Sequence, residues 1–251
     1  LAVDNISKHY GQARILEGLG FDQKPGEFLS IVGPSGCGKS TLLRCIASLM
    51  QPNSGAVRHK GREFTDPPGW LSIVFQDYSR ALFPWLTVRQ NVGFGLRGIN
   101  AREKNERVEG AVEAVNLAHA IDLYPWQLSG GMQQRCSLAR SIVVQPELLL
   151  LDEPFASVDA QTRIDLQDLV IDLSRRLKLS TLLVTHDVEE AVYMSDRIIV
   201  LSTRPARVVE EITVDLPYPR DQLETKETPE FLRLRHKVHT LIRAQSKSSD
   251  A

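Results

Sequence analysis

Phe28-Leu29-Ser30-Ile31-Val32-Gly33-Pro34-Ser35-Gly36-Cys37-Gly38-Lys39-Ser40-Thr41 is the stretch that decides the fold. Its first five residues make a short apolar strand. Gly33–Ser40 then fits the pattern G-x-x-x-x-G-K-[ST]. A helix is predicted from about Lys39 to Leu49, ending before Pro52. The order strand, glycine turn, helix answers one physical demand, the close approach of backbone to a polyphosphate. Glycines remove Cβ atoms, so successive N–H groups converge on phosphate oxygens. The helix start adds its positive dipole end. Lys39 is placed to neutralise β/γ-phosphates and the Ser40 hydroxyl to hold Mg²⁺. A thiol at a helix start can have a lowered pKa, which would give Cys37 a redox role. The plainer reading, a small residue that fits beside phosphate, is the expectation adopted.

Farther along, Leu148-Leu149-Leu150-Leu151-Asp152-Glu153-Pro154 puts two carboxylates at the end of a continuous apolar run. Such a run suits a strand of a parallel sheet covered on both faces. Asp152 is the candidate to help hold Mg²⁺. Glu153 is the candidate general base for an attacking water. His186 ends the next strand, Thr181–Thr185. It therefore stands at the carboxyl edge of an open sheet, where ligands bind, and could contact a γ-phosphate and orient water.

Between these landmarks strands and helices alternate. Trp70–Phe75 and Arg197–Leu201 read as strands, and residues 160–177 and Val188–Met194 as helices. Alternation argues an α/β domain with a parallel sheet. Residues 1–6 and 12–19 read as strands around a turn at Tyr10-Gly11. Asn100 and Glu103 form a capping-box pattern. Val108, Ala111, Val112 and Val115 then make a helical stripe. After Ser202, Val208–Val214 reads as a strand. Thr228 and Pro229 start a terminal helix, with Phe231, Leu234, Val238, Leu241 and Ile242 on one face and Ser246–Ala251 frayed.

The 251 residues carry 30 Lys+Arg against 31 Asp+Glu, a formal charge of −1, with 42% hydrophobic residues. That balance excludes a disordered chain and a basic nucleic-acid binder. No stretch approaches the roughly 18 consecutive apolar residues of a membrane span. Asp4, Lys8 and His9 interrupt the start, unlike a signal peptide. Cys37, Cys45 and Cys136 are odd in number and lack metal-ligand spacing, so a reduced cytosolic compartment is expected.

Leu128-Ser129-Gly130-Gly131-Met132-Gln133-Gln134-Arg135 is a second glycine-rich helix start with a capping serine. It is another anion site in outline. Lys39 already faces the γ-phosphate, so a second such helix end is redundant within one copy. It makes sense facing the nucleotide of a second copy, in a head-to-tail dimer with two ATP at the interface.

These ordered motifs resemble the nucleotide-binding subunit of an ABC transporter over nearly the whole chain. Gly33–Thr41 is similar to the Walker A loop and Leu148–Glu153 to the Walker B strand. Ser129–Gln133 is similar to the family signature, Gln76 to the Q-loop glutamine, Ser157-Val158-Asp159 to the D-loop and His186 to the switch histidine. Tyr10 lies where the family stacks an aromatic ring on adenine. The resemblance implies catalytic roles for Glu153, His186 and Gln76. It implies ATP contacts from Tyr10, Gly33–Thr41, Ser129–Gln133 and Asp159, and Mg²⁺ held by Ser40, Gln76 and Asp152. Met132 replaces the usual Gln of the signature, and Val158 the commoner Leu. Asp77-Tyr78-Ser79-Arg80-Ala81 is slightly long before Leu82-Phe83-Pro84-Trp85.

The fold implied is α/β: a P-loop NTPase core with a mixed, mainly parallel sheet, an N-terminal antiparallel β subdomain and an inserted helical subdomain. The ATPase domain is expected over 1–202, with the insertion at about 77–145, and a C-terminal extension over 203–251. Phe83–Val88 with Asn91-Val92, and Arg204–Val209 with Asp215-Leu216-Pro217, resemble importers of the nitrate, sulfonate and taurine type. The partners implied are a second ATPase copy or a pseudo-dimer mate, a transmembrane permease and a separate solute-binding protein, with no nucleic acid. The place implied is peripheral, on the cytoplasmic face of the inner membrane. Two rival readings are a soluble ABC-type ATPase without a transport role and a P-loop small-molecule kinase. The kinase leaves Ser129–Arg135 and His186 idle. His236 and His239, three apart, could bind metal, but a solvated basic face with Arg233, Arg235 and Lys237 is expected. Trp85 fits either a partner contact or the core.

Overall fold

The computed structural model describes residues 1–77 and 81–247. Tyr78, Ser79 and Arg80, inside the long Asp77–Ala81 segment, lie outside the described residues, as do 248–251 of the expected frayed end Ser246–Ala251, whose first two residues still belong to the last helix. The chain forms two compact units, one of residues 1–68 with 180–251 and one of residues 69–179.

The first unit opens with β1 (Ala2–Tyr10) and β2 (Ala13–Asp22), both longer than the sequence reading. They pair antiparallel with register shifts, and Asn5 turns through a positive φ of 50°. Such irregularities obscure the two-residue alternation that marks a strand. Next come β3 (Phe28–Val32) and α1 (Lys39–Ile46). Helix α1 stops short of Leu49 because Ser48 adopts φ 53°. The Ser48 and Leu49 amides then close back onto Cys45 O and Arg44 O. A left-handed residue with back-folded amides is the usual way to end a helix. Two strands that the sequence hides follow, β4 (Ser54–His59) and β5 (Arg62–Glu63). Their polar composition carries no strand signal; pairing of β4 on β1 and of β5 on β4 supplies it. The antiparallel sheet runs β2-β1-β4-β5.

The second unit begins with β6 (Leu71–Val74) and α2 (Val88–Gly93). Thr87 and Gln90 close a full capping box on α2. In α3 (Ala101–Ala114), Asn100 accepts from the Glu103 amide, but the reciprocal half of the expected box is missing. The Glu103 carboxylate pairs with Arg107 at 2.7 Å instead. The Val108, Ala111, Val112 and Val115 stripe is buried as read. Next are α4 (Gly130–Ile142), β7 (Leu148–Asp152) and α5 (Ala160–Arg176). Strands β6 and β7 are parallel, with Val74 opposite Leu151. Asn91 is fully buried and holds the Phe83–Thr87 loop, accepting from Phe83 N and donating to Phe83 O, Leu86 O and Thr87 O. Trp85 is 70% exposed, which removes it from the core.

The chain then returns to the first unit with β8 (Ser180–Val184), α6 (Val188–Met194), β9 (Arg197–Leu201) and β10 (Val208–Thr213). Short α7 (Glu224–Glu227) and long α8 (Pro229–Lys247) finish it. Here β9, β3 and β8 are parallel neighbours and β10 joins β9 antiparallel, which makes a mixed, mainly parallel sheet. All five residues of β3 are buried, as expected for a strand covered on both faces. Three basic residues of α8 make ion pairs at the surface: Arg233 with Glu230, Arg235 with Glu189 and Lys237 with Glu210.

Candidate nucleotide site

In the first unit, Gly33 leaves the carboxyl end of β3 and the loop Gly33–Gly38 delivers the chain to α1. Gly38 sits at φ 122°, and a Cβ there would lie 2.9 Å from Ile15 Cγ2. Only glycine meets both demands. No side chain caps the start of α1. A helix N-terminus, as the positive pole of the helix dipole, favours an anion. Lys39 is 6% exposed and folds back along the loop, donating to Gly33 O at 2.9 Å and Pro34 O at 3.1 Å. Ser35 and Gly36 are exposed, and Ser40 and Thr41 are half-buried. Cys37 is buried, and burial pushes its thiol pKa up despite the neighbouring Lys39. The structure thus favours the small-residue reading over the redox one.

His186 belongs to the same edge. Strands β3 and β8 pair in parallel with Ile31 opposite Val184. The Thr185 amide continues the ladder to Ile31 O at 3.2 Å. His186 is the first exposed residue after β8, and Asp187 immediately caps α6 through the Glu189 and Glu190 amides. Tyr10 ends β1 half-exposed, with its hydroxyl donating to Met50 Sδ at 3.0 Å and Lys8 Nζ 5.6 Å from its ring centre. Beside it a cavity of about 520 Å³ is lined by Lys8, His9, Gly11 and Gln12 among others.

In the second unit, the β6/β7 register sets the acidic edge. Gln76 stands two residues beyond Val74 and Glu153 two beyond Leu151, so parallel neighbours release both at one edge. Gln76 is exposed, Glu153 half-buried and Asp152 buried. Glu153 adopts φ 46°, a left-handed conformation uncommon for a side-chain-bearing residue. That turn separates its direction from that of Asp152.

The signature segment lies in the same unit. Ser129 caps α4, accepting from Met132 N at 3.3 Å, and leaves Gly130 exposed. Gln133 donates to Pro125 O and Leu128 O, which anchors the segment leading into the helix. A Cβ on Gly131 would lie 2.5 Å from Thr162 Cγ2. Asp159 caps α5 through Thr162, accepting from its amide at 3.0 Å and its hydroxyl at 2.6 Å. These two bonds hold the Asp159 carboxyl pKa below its ordinary value, the hydroxyl contributing most. Thr162 thus stands against both the signature glycine and the D-loop aspartate.

Two residues escaped the sequence reading. Thr162 was indistinguishable from other helix-surface residues. Gln134 is fully buried and donates to Pro154 O at 2.7 Å, tying α4 to the Glu153 turn. Its signal was a polar side chain one turn ahead of Leu138 and two ahead of Ile142 on the apolar stripe of α4. Among the described residues no group of three or more His, Cys, Asp or Glu could hold a metal ion, and no helix is long and apolar enough to cross a membrane.

With this geometry in place, the similarities to known proteins are specific. Residues 16–156 match the family model described as ABC transporter. A Brucella abortus biovar 1 (strain 9-941) protein named only as ATP-binding is 42% identical over 252 residues, covering 100% of this chain and 96% of that protein. The nitrate import ATP-binding protein NrtC of Synechococcus elongatus is 41% identical over 258 residues, covering 99% of this chain and 39% of that longer protein. Among solved structures, a bacterial ABC transporter cassette determined as a dimer superposes with a TM-score of 0.74 at 30% identity, covering 85% of this chain and 98% of the cassette. The chain belongs to the ABC transporter family, as an ATP-binding subunit that is an ATPase.

Proposed function

We propose that this chain is the ATP-hydrolysing motor of an importer for a small anion such as nitrate, a sulfonate or taurine. Two copies meet head to tail. Each holds ATP on Gly33–Thr41, with Tyr10 stacked on the base. Ser129–Gln133 and Asp159 of the second copy close over the phosphates. Lys39 neutralises the β/γ-phosphates, and Gln76, Glu153 and His186 take the catalytic roles that the family resemblance implies. Glu153 takes the proton of the attacking water as its oxygen bonds to the γ-phosphorus. The bond from that phosphorus to the bridging oxygen breaks, and ADP and phosphate leave. His186 holds the γ-phosphate and keeps the water in line.

Ser40, Gln76 and Asp152 would hold Mg²⁺. A hydroxyl, an amide oxygen and a carboxylate are hard oxygen donors, and so few protein ligands suit an ion that keeps phosphate oxygens and waters. The ion would offset charge on the β- and γ-phosphates.

The observation that carries the hydrolytic reading is the shared edge of β6 and β7, which releases Gln76 and Glu153 side by side. The anion class is supported by the similarity to the nitrate import protein along 99% of this chain. In this reading 1–202 is the ATPase domain, with 77–145 inserted, and 203–251 the extension. The motor works at the cytoplasmic face of the inner membrane, with a permease and a solute-binding protein. Reconstitution with a permease and solute-binding protein that copurify with it tests this. ATP-dependent uptake of nitrate, taurine or an alkyl sulfonate is expected; ATP hydrolysis without uptake of any of them would reject the anion class.

A further inference from the structure

We propose that the segment after β9 is a brace for His186, with Arg220 as its positioning residue. The proposal rests on the reading of His186 as the γ-phosphate contact. His186 is a one-residue junction. Thr185 before it is fixed to β3, and Asp187 after it caps α6. The place and direction from which its side chain leaves the backbone are therefore set by where β8 ends and by the angle at which α6 leaves the sheet edge.

Helix α6 has only seven residues. Isolated helices under about 12–15 residues are marginal, so packing and caps must hold one this short. Its C-terminal carbonyls need partners from outside the helix. Arg220 supplies them: one guanidinium nitrogen, Nη1, donates to Tyr193 O at 2.6 Å and to Ser195 O at 2.9 Å. The other, Nη2, donates to Leu216 O at 3.2 Å, which fixes the fork to its own loop. Tyr218, whose ring lies under the guanidinium at 4.0 Å, donates its hydroxyl to Met194 O at 3.2 Å. Three successive carbonyls at the end of α6 are thus capped by residues 218 and 220. A cation at this end also meets the negative pole of the helix. The Ser195 hydroxyl bonds that of Ser30 in β3, which pins the same end to the sheet.

Helix α8 adds the rest of the brace. It packs on α6 and buries Phe231, Leu234 and Val238. Arg235 reaches Glu189, in the first turn of α6, at 2.7 Å. That ion pair is half-exposed and adds little by itself. Arg220 is the element that sets the axis. At about 1.5 Å per residue α6 spans roughly 10 Å, so a tilt at Ser195 is carried to His186.

The test uses the full chain and compares Arg220→Met, Arg220→Lys, Tyr218→Phe and His186→Ala with the wild type in steady-state ATP hydrolysis and in binding of a fluorescent ATP analogue. Arg220→Met is expected to lower kcat about tenfold while KM and nucleotide affinity stay within about twofold, because positioning and not binding is lost. Arg220→Lys, which keeps a donor, is expected to recover part of the loss. Tyr218→Phe removes one bond and is expected to lower kcat about twofold; it carries the test if Arg220→Met does not fold. Wild-type kcat in Tyr218→Phe and in any folded Arg220→Met overturns the brace, as does a parallel loss of nucleotide binding. If His186→Ala is inactive while Arg220→Met turns over normally, the brace alone is wrong. If His186→Ala turns over normally, the reading of His186 falls and the brace with it.

Discussion

The side-chain amide of Gln134 donates to the carbonyl of Pro154 at 2.7 Å in a fully buried position. One hydrogen bond thereby joins the helix that begins at the signature glycines to the turn in which Glu153 holds φ 46°. In the proposed dimer the first feature serves the nucleotide of the other copy and the second serves its own. Gln134→Met keeps the volume and removes the donor. The expected cost is about 1 kcal/mol of stability, because the Pro154 carbonyl loses its partner. The expected signature is a lower kcat with ATP affinity retained. Chemical denaturation and ATPase kinetics on the same variant check both, and an unchanged kcat would show that the Glu153 turn holds itself.

Glu153→Gln removes the proton acceptor while leaving a side chain that fits the same backbone. ATP binding without turnover is expected, with the nucleotide-bound protein collecting as a stable dimer. Lys39→Ala is expected to lose nucleotide binding, since the buried ammonium against Gly33 O and Pro34 O is the only basic side chain in the Gly33–Thr41 stretch. Size-exclusion chromatography with ATP present checks both. Wild-type hydrolysis by Glu153→Gln would reject it as the base.

Burial raises the pKa of all three thiols: Cys37 upward, Cys45 to about 11 and Cys136 to about 12. A thiol with a pKa near 12 is about 10⁻⁴ thiolate at pH 8, against roughly a quarter for an ordinary cysteine. The folded protein is expected to react slowly with Ellman's reagent at pH 8. The rate should still climb from pH 7 to pH 9 without a plateau, because burial shifts all three thiols upward and those of Cys45 and Cys136 well above that window. All three thiols should react promptly in denaturant. A fast stoichiometric reaction of Cys37 in the folded state would restore its redox reading.

The strand-to-loop junctions were legible because each carries a dense local signal. Gly33–Thr41 needs glycine at set positions, and Leu148–Glu153 joins a four-leucine run to two acids. What stayed hidden depends on partners distant in sequence. Strand β4 exists by pairing with β1, although Ser54, Gly55 and Arg58 are poor strand formers. Gln134 and Arg220 read as ordinary polar residues until the fold shows which carbonyls they meet. Helix α1 was overextended because nothing in Ser48 itself announces a left-handed stop.

Thr162 gives a test with a rescue built in. Its hydroxyl is held by Asp159 at 2.6 Å, so its Cγ2 cannot swing away from Gly131. Gly131→Ala would bring a Cβ to 2.5 Å from that methyl. Overpacking of this kind typically costs about 1–3 kcal/mol or forces the backbone to shift. A shift of α4 displaces the signature amides, and misplacement by about 1 Å can cost roughly 100-fold in turnover. Thr162→Ser deletes the methyl but keeps the hydroxyl that Asp159 accepts from. The double variant Gly131→Ala/Thr162→Ser is therefore expected to return most of the ATPase activity. Failure of the rescue would assign the damage elsewhere, to the new Cβ standing between the helix start and the phosphates of the second copy. ATPase rates of the two single variants and the double variant decide between these two causes.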